Sequence, residues 1–193
     1  MPLIRAASSL ETLDDAPPAS STVREAARAG DAAKLAEILA GAPDALGREA
    51  ALTSLARLGG EASIAALVKL IGADDVSLRN AVIETLSCLG ESVISALQPV
   101  LSDADPNLRI YALVVLENID SSLAADLALR VALGDPHVNV CAAAIEALAN
   151  SGTPEMAAAL QTVPARFPEH PFLRYAVRAA LQKMGRAADG AIG

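Results

Sequence analysis

The 193-residue sequence contains no tryptophan, two phenylalanines and two tyrosines. That is too few rings for a strand-rich core, which draws on aromatic and β-branched residues. Cysteine is scarce too: Cys88 and Cys141 lie far apart, with no CxxC or Cys–His zinc spacing. This suits a reducing cytoplasm and buried thiols. Positive charge is also limited, with 15 Lys and Arg against 23 Asp and Glu and a net charge of −8. Such a chain repels a phosphate backbone and lacks the counterion release that drives nucleic-acid binding, so no nucleic acid is expected as main partner. No uncharged apolar run reaches bilayer length, so no membrane span is expected. The start, MPLIRAASSLETLDD, has too short an apolar run and too many acids for a signal peptide. These features predict a soluble, cytoplasmic protein.

What is present is Ala, Leu, Val and Ile, within a hydrophobic fraction of 53%. Ala and Leu are the strongest helix formers, so the composition predicts many thin, closely packed helices. A repeat organises them. With Leu108 as position zero, small or apolar residues recur at zero, +4, +8 and +11: Leu108, Ala112, Leu116 and Ile119. The same template fits Leu78, Val82, Leu86 and Leu89, and Leu173, Val177, Leu181 and Met184; Gly47, Ala51, Leu55 and Leu58 are a weaker copy. Offsets of 4, 4 and 3 draw one core-facing stripe along a helix.

Three further columns align with the stripe. At +1 stand Arg48, Arg79, Arg109, Asn139 and Arg174, separated by 31, 30, 30 and 35 residues. At −3 stand Asp44, Asp75, Asp105, Asp135 and His170, and Pro106, Pro136 and Pro171 follow the last three. Asp at an N-cap accepts a hydrogen bond from a free helix N–H, and Pro at the first helical position loses no bond it would have made. At +12 stand Gly59, Gly90, Asp120, Asn150 and Gly185, residues tolerant of the left-handed backbone that ends a helix. Second helical segments follow each stop, EASIAALVKLIG, ESVISALQPVLS, SSLAADLALRVALG and PEMAAALQTV. Each unit is therefore predicted as helix, turn, helix.

At these columns, on DPNLR…L…LENID and its copies over 44–185, the sequence resembles the HEAT repeat, particularly the short form found in the E/F-type phycobilin lyases. The resemblance implies an all-α fold, a right-handed α-α superhelix (a HEAT-like solenoid) of about five helical-hairpin repeats. It further implies first helices on the convex side, second helices on the concave side, and a ladder of Asp and Arg from the −3 and +1 columns linking neighbouring repeats. The concave groove would carry Lys69, Gln98, Asp126 and Arg130, a mixed polar set suited to another protein. Residues 21–43 are expected to form an N-terminal helical cap, with Val23 and Arg24 at the zero and +1 columns. EAARAGDAAKLAEIL there also resembles an ankyrin helix pair, but no ankyrin repeat follows. Residues 1–20 are expected to be a disordered lead and 186–193 a flexible tail.

The fourth unit departs from the template. Glu146 and Ala149 stand at +8 and +11, with Ile145 and Leu148 one residue earlier. Either its helix is rotated by about 100°, one residue's turn, or Glu146 sits at an exposed edge. The longer gap before Arg174, around ARFPEHP, reads as a local bend or as a surface-loop insertion.

Chemical candidates are few. His137 and Cys141 are four apart on a helix but are too few ligands for zinc, and cysteine in an Ala-rich helix usually serves packing. His170 reads as a cap. Among the carboxylates, Asp44, Asp75, Asp105 and Asp135 read as caps and Glu84 and Glu117 as exposed residues of the first helices; no phosphate-binding glycine loop occurs, and no catalytic constellation or cofactor is expected. DNA glycosylases with HEAT-like repeats would need a basic, aromatic concave face, whereas the second helices supply Lys69 and Arg130 and no ring. The remaining contrast is at the end: Arg166, Arg174, Arg178, Lys183 and Arg186 against Glu169, near Phe167, Phe172 and Tyr175. Arginine with aromatic residues is the composition of binding hot spots, so Phe167, Arg174, Tyr175, Arg178 and Lys183 are candidates for docking an acidic protein partner. The plainer reading has Phe167 and Phe172 plugging the end of the core. The sequence thus predicts a non-catalytic scaffold or signalling adaptor; the resemblance alone offers an auxiliary subunit of a tetrapyrrole lyase as the alternative.

Overall fold

The computed structural model describes residues 21–42 and 44–190, the side chains of 186–190 excepted. The expected lead over 1–20 and the end of the expected tail at 191–193 lie outside the described residues. Among those described, the chain consists of helices and turns, the all-α class and repeated helix pairs that the stripe predicts. It forms two compact units that meet after Ala66.

In the first unit, α1 (Ser21–Ala29) packs on α2 (Ala32–Gly41) and α3 (Ala45–Leu58), and α4 (Gly60–Val68) begins after a tight turn. Val23, Leu35, Leu39, Ala51 and Leu55 are buried. Asp31 caps α2 by accepting the Lys34 N–H at 2.9 Å, and Asp44 caps α3 by accepting the Gly47 N–H at 2.7 Å. Gly59 and Gly60 take positive φ, 57° and 69°, where a side chain would be strained.

In the second unit the first helices of successive repeats are α5 (Val76–Cys88), α7 (Pro106–Glu117), α9 (Val138–Ser151) and α11 (Phe172–Gly190). They pack in series, α5 on α7, α7 on α9 and α9 on α11. The stripe lines this core: Val82, Leu86, Ala112, Leu116, Leu173 and Met184 are buried. Asp75 and Asp105 cap α5 and α7 as expected.

Second segments vary. In the second unit, α8 (Ser122–Gly134) is a continuous helix; it starts at the cap Ser121 and packs on α9. The segment over 90–102 is broken into 3₁₀ turns around α6 (Ile94–Leu97), and that over 154–166 into 3₁₀ turns around α10 (Ala157–Leu160). Pro99 and Pro164 have no N–H to continue an α-helical ladder, so the chain tightens into i→i+3 bonds beside them. They still bury Val93, Ile94, Leu97, Leu160 and Val163.

The irregular fourth unit has one cause, a register slip of two residues. Asp135 is not its helix cap. The helix begins at Val138, and His137 caps it by accepting the Asn139 N–H at 3.3 Å. Counted from His137, the template falls on Val140, Ala144 and Leu148, all fully buried, and ends at the C-cap Gly152. Glu146 is then exposed because it lies off the stripe. The position equivalent to Arg109 is Cys141 rather than Asn139, so the slip accounts for two of the five extra residues before Arg174 and leaves a spacing of 33 residues from Cys141.

The +12 column is corrected as well. Gly59 and Gly90 adopt positive φ, but no non-glycine described residue does, so Asp120 and Asn150 do not. Helix α9 runs through Asn150, and α11 continues through Gly185 to Gly190, helical over the first part of the expected tail. Phe172 is 42% exposed, so it does not plug the core; Leu160, Val163 and Leu173 close it instead.

Two stability predictions follow from this packing. Leu116→Ala empties a fully packed site and is expected to cost about 2–5 kcal/mol in urea unfolding; an unchanged midpoint would mean that the stripe is misplaced. At Gly152 an added Cβ would lie 2.6 Å from the Leu148 carbonyl oxygen and 3.0 Å from Met184 Cε. That oxygen belongs to rigid helix backbone, so Gly152→Ala is expected to lower stability by about 1–3 kcal/mol.

Candidate functional site

The turns leading into α3, α5, α7 and α9 are each held by a side chain four residues after the cap, reaching the carbonyl six residues back. Arg48 Nε donates to the Ala42 carbonyl at 3.4 Å, and Arg79 to Ala73 at 2.7 Å. Arg109 donates to Asp103 at 2.8 Å. These carbonyls end helical segments, where unsatisfied acceptors and the helix dipole favour a cation. In the fourth unit Cys141 stands at this place, and its thiol donates to the Asp135 carbonyl at 3.3 Å. A thiol is a weak donor, and Arg166 reinforces it from downstream: its guanidinium donates to the same Asp135 carbonyl at 2.6 Å and to that of Ala132 at 3.1 Å. Arg166 also lies over the Phe167 ring, 5.0 Å from its centroid. Sequence columns missed this role because Arg166 belongs to none of them.

The Asp–Arg ladder expected between repeats has one rung in the second unit among the described residues. Arg109 donates from Nε and a terminal nitrogen to the Asp135 carboxylate, at 2.7 and 3.0 Å. Both residues are buried. The hydrogen bond to Asp135 is the largest influence on Arg109 and raises its pKa further, against the burial that lowers it. Asp135 is thus drawn from the expected cap into an ion pair, while its Oδ1 also accepts the His137 N–H at 2.8 Å. Arg79 lies over the Tyr111 ring at 4.8 Å instead of pairing with Asp105. His137 and Cys141, the pair weighed as metal ligands, are both engaged in holding the turn. Burial pushes the Cys141 thiol up, more strongly than the Arg166 charge draws it down.

Two surfaces lie in the second unit. The first lies between 97–102 and α8, where Gln98 and Arg130 line an open depression of about 340 Å³ together with Leu101, Ser102, Leu127, Val131 and Asp135. Along α8, Leu123, Asp126 and Arg130 share one exposed face at helical spacing, and Leu123 is 58% exposed. Leu123 was not singled out by sequence because it fits no column. Lys69 is exposed just after α4 and does not line the depression.

The second surface is at α11. Arg174 lines an open hollow of about 440 Å³ with Gln161, Pro164, Ala165, Pro168 and Val177. Tyr175 and Arg178 are exposed beside it on the helix, with the guanidinium 6.0 Å from the ring centroid. Phe167 is half-buried under Arg166. Lys183 is tied to the protein, donating to the Asn150 side chain, which in turn donates to the Glu117 carbonyl and carboxylate.

Arg109→Leu leaves a buried, unpaired carboxylate and is expected to cost about 3–5 kcal/mol in chemical unfolding. Adding Asp135→Asn should recover part of it, because the neutral amide still accepts the His137 N–H. Cys88 is exposed and Cys141 buried, so a thiol-reactive dye should label Cys88 in the native protein and Cys141 only on unfolding. Since burial raises the Cys141 pKa, the folded state keeps a proton that the unfolded chain releases. Its contribution to stability is complete below the ordinary thiol range and declines above about pH 8.5. Unfolding free energies at pH 7 to 10 should show this decline, and Cys141→Ala should flatten it.

The family profile for HEAT repeats matches residues 32–101 and again 94–182. Solved structures with some likeness include an engineered protein, 18% identical over 85% of this chain and 83% of that one, with a TM-score of 0.42. Another is a designed armadillo repeat protein in complex with the peptide (KR)4, 20% identical over 88% of each chain, also with a TM-score of 0.42. None of the curated proteins matches the chain. The repeated caps, the shared stripe and the matched span together show that this chain belongs to the HEAT-repeat family.

Proposed function

We propose that this chain is a non-catalytic protein-binding module, a scaffold or adaptor, that docks a partner segment on the face formed by its second helical segments. The observation that carries this reading is the depression between 97–102 and α8, which Gln98 and Arg130 line beside Leu101, Leu127 and Val131. Neither side chain has a hydrogen-bond partner among the described residues, so both are available to a ligand backbone or side chain. Leu123 and Asp126 extend the same face with an exposed apolar contact and an acid. Helical repeat scaffolds present extended surfaces of this kind, and packed helices lose little ordering entropy on docking. The side chains closest to nucleophile chemistry, His137 and Cys141, are spent on holding a turn, which fits a binding role. Two free thiols suit the reducing cytoplasm as its place of action.

The test is selection of a displayed random-peptide library on the immobilised full chain. Enriched peptides are expected to lose about thirtyfold in affinity against Gln98→Lys/Arg130→Glu, the loss of a hot-spot pair, while the variant melts as the parent does. Absence of enrichment, or peptides that bind the variant equally well, would overturn the reading.

A further inference from the structure

Helix α11 carries charge that the fold does not use. Arg174 stands at the column whose arginines elsewhere bend back to a carbonyl, yet it makes no such bond; it is exposed on the rim of the 440 Å³ hollow. It lies in the first turn of the helix, which has no acidic residue, at the end where the dipole disfavours a cation. Arg178 follows one turn later, placing like charge beside like charge. Neither has a hydrogen-bond or ion-pair partner among the described residues, and the Tyr175 ring is Arg178's recorded contact. Of the other cations between 161 and 185, Arg166 is committed to two carbonyls and Lys183 to Asn150. Between 161 and 185 the one acid is Glu169, in a chain whose net charge is −8.

Beside this pair the hollow offers the Pro164, Ala165, Pro168 and Val177 side chains as an apolar seat. Tyr175, in the same helical turn as Arg174, is 67% exposed. We propose that the α11 end binds an extended acidic segment of a partner protein. Two carboxylates two residues apart would sit on Arg174 and Arg178, and an aliphatic side chain two residues beyond them, on the same face of the strand, would enter the hollow. The spacing fits: one helical turn rises about 5.4 Å, and alternate side chains of an extended strand lie roughly 6.6 Å apart. Guanidinium forks favour carboxylates with bidentate geometry. This surface is separate from the Gln98–Arg130 depression and does not depend on its role.

The test uses the full chain and a short dye-labelled peptide with the core Glu-Ser-Glu-Ser-Leu in a Gly/Ser background, read by fluorescence anisotropy. Saturable binding is expected, weakened at least about tenfold by Glu→Gln in the peptide or by Arg174→Glu/Arg178→Glu in the protein, and also weakened by raised salt. Leu→Ser in the peptide should weaken it independently of salt, and Gln98→Lys/Arg130→Glu should leave it unchanged. Circular dichroism melting of each protein variant establishes that it is folded. No saturation at about 1 mM protein, unchanged affinity after the charge reversal, or tighter binding of a single-stranded RNA of equal charge would each overturn the proposal.

Discussion

The turn that joins one repeat to the next depends on a guanidinium reaching back six residues. A second helical segment ends with carbonyls that have no amide partner, and the following first helix begins only a few residues later. Arg48, Arg79 and Arg109 each satisfy one of those carbonyls from the first turn of the next helix. The bond is local in sequence, but it sets the angle at which the following helix leaves. Where cysteine replaces arginine, the chain supplies a second donor, Arg166, from beyond the next helix pair. The placing of α7, α8 and α9, and with it the depression beside α8, rests on these turns.

The core built around them is generic in chemistry and specific in register. Ala, Leu, Val and Ile pack without polar demands, so the stripe alone positions one first helix against the next. Polar specificity is concentrated at the edges: the Arg109–Asp135 pair, and the chain of contacts from Glu117 through Asn150 to Lys183 across α7, α9 and α11. Breaking a buried pair costs more than forming it contributes, so such a pair opposes alternative registers of α9.

The two candidate surfaces differ in how they were legible. The sequence placed Arg174, Tyr175 and Arg178 together because charge and aromatic content are concentrated at one end of an otherwise acidic, ring-poor chain. It placed Gln98 and Arg130 only through the expectation that second segments share a face. Their lining of one depression, and the addition of Leu123, emerge from packing. Lys69 shares the exposure but not the depression.

By itself the sequence determined the helical repeat, its stripe and the caps Asp44, Asp75 and Asp105, because these signals act within a helical turn or between adjacent residues. It could not reveal the two-residue slip of the fourth helix. There Asp135 faces a choice between capping its own helix and pairing with Arg109, 26 residues away. Only the tertiary structure decided it, since the buried partner and the Arg166 bonds, spanning 31 and 34 residues, exist once the repeats have stacked. With the carboxylate so engaged, His137 starts the helix, and the stripe follows it.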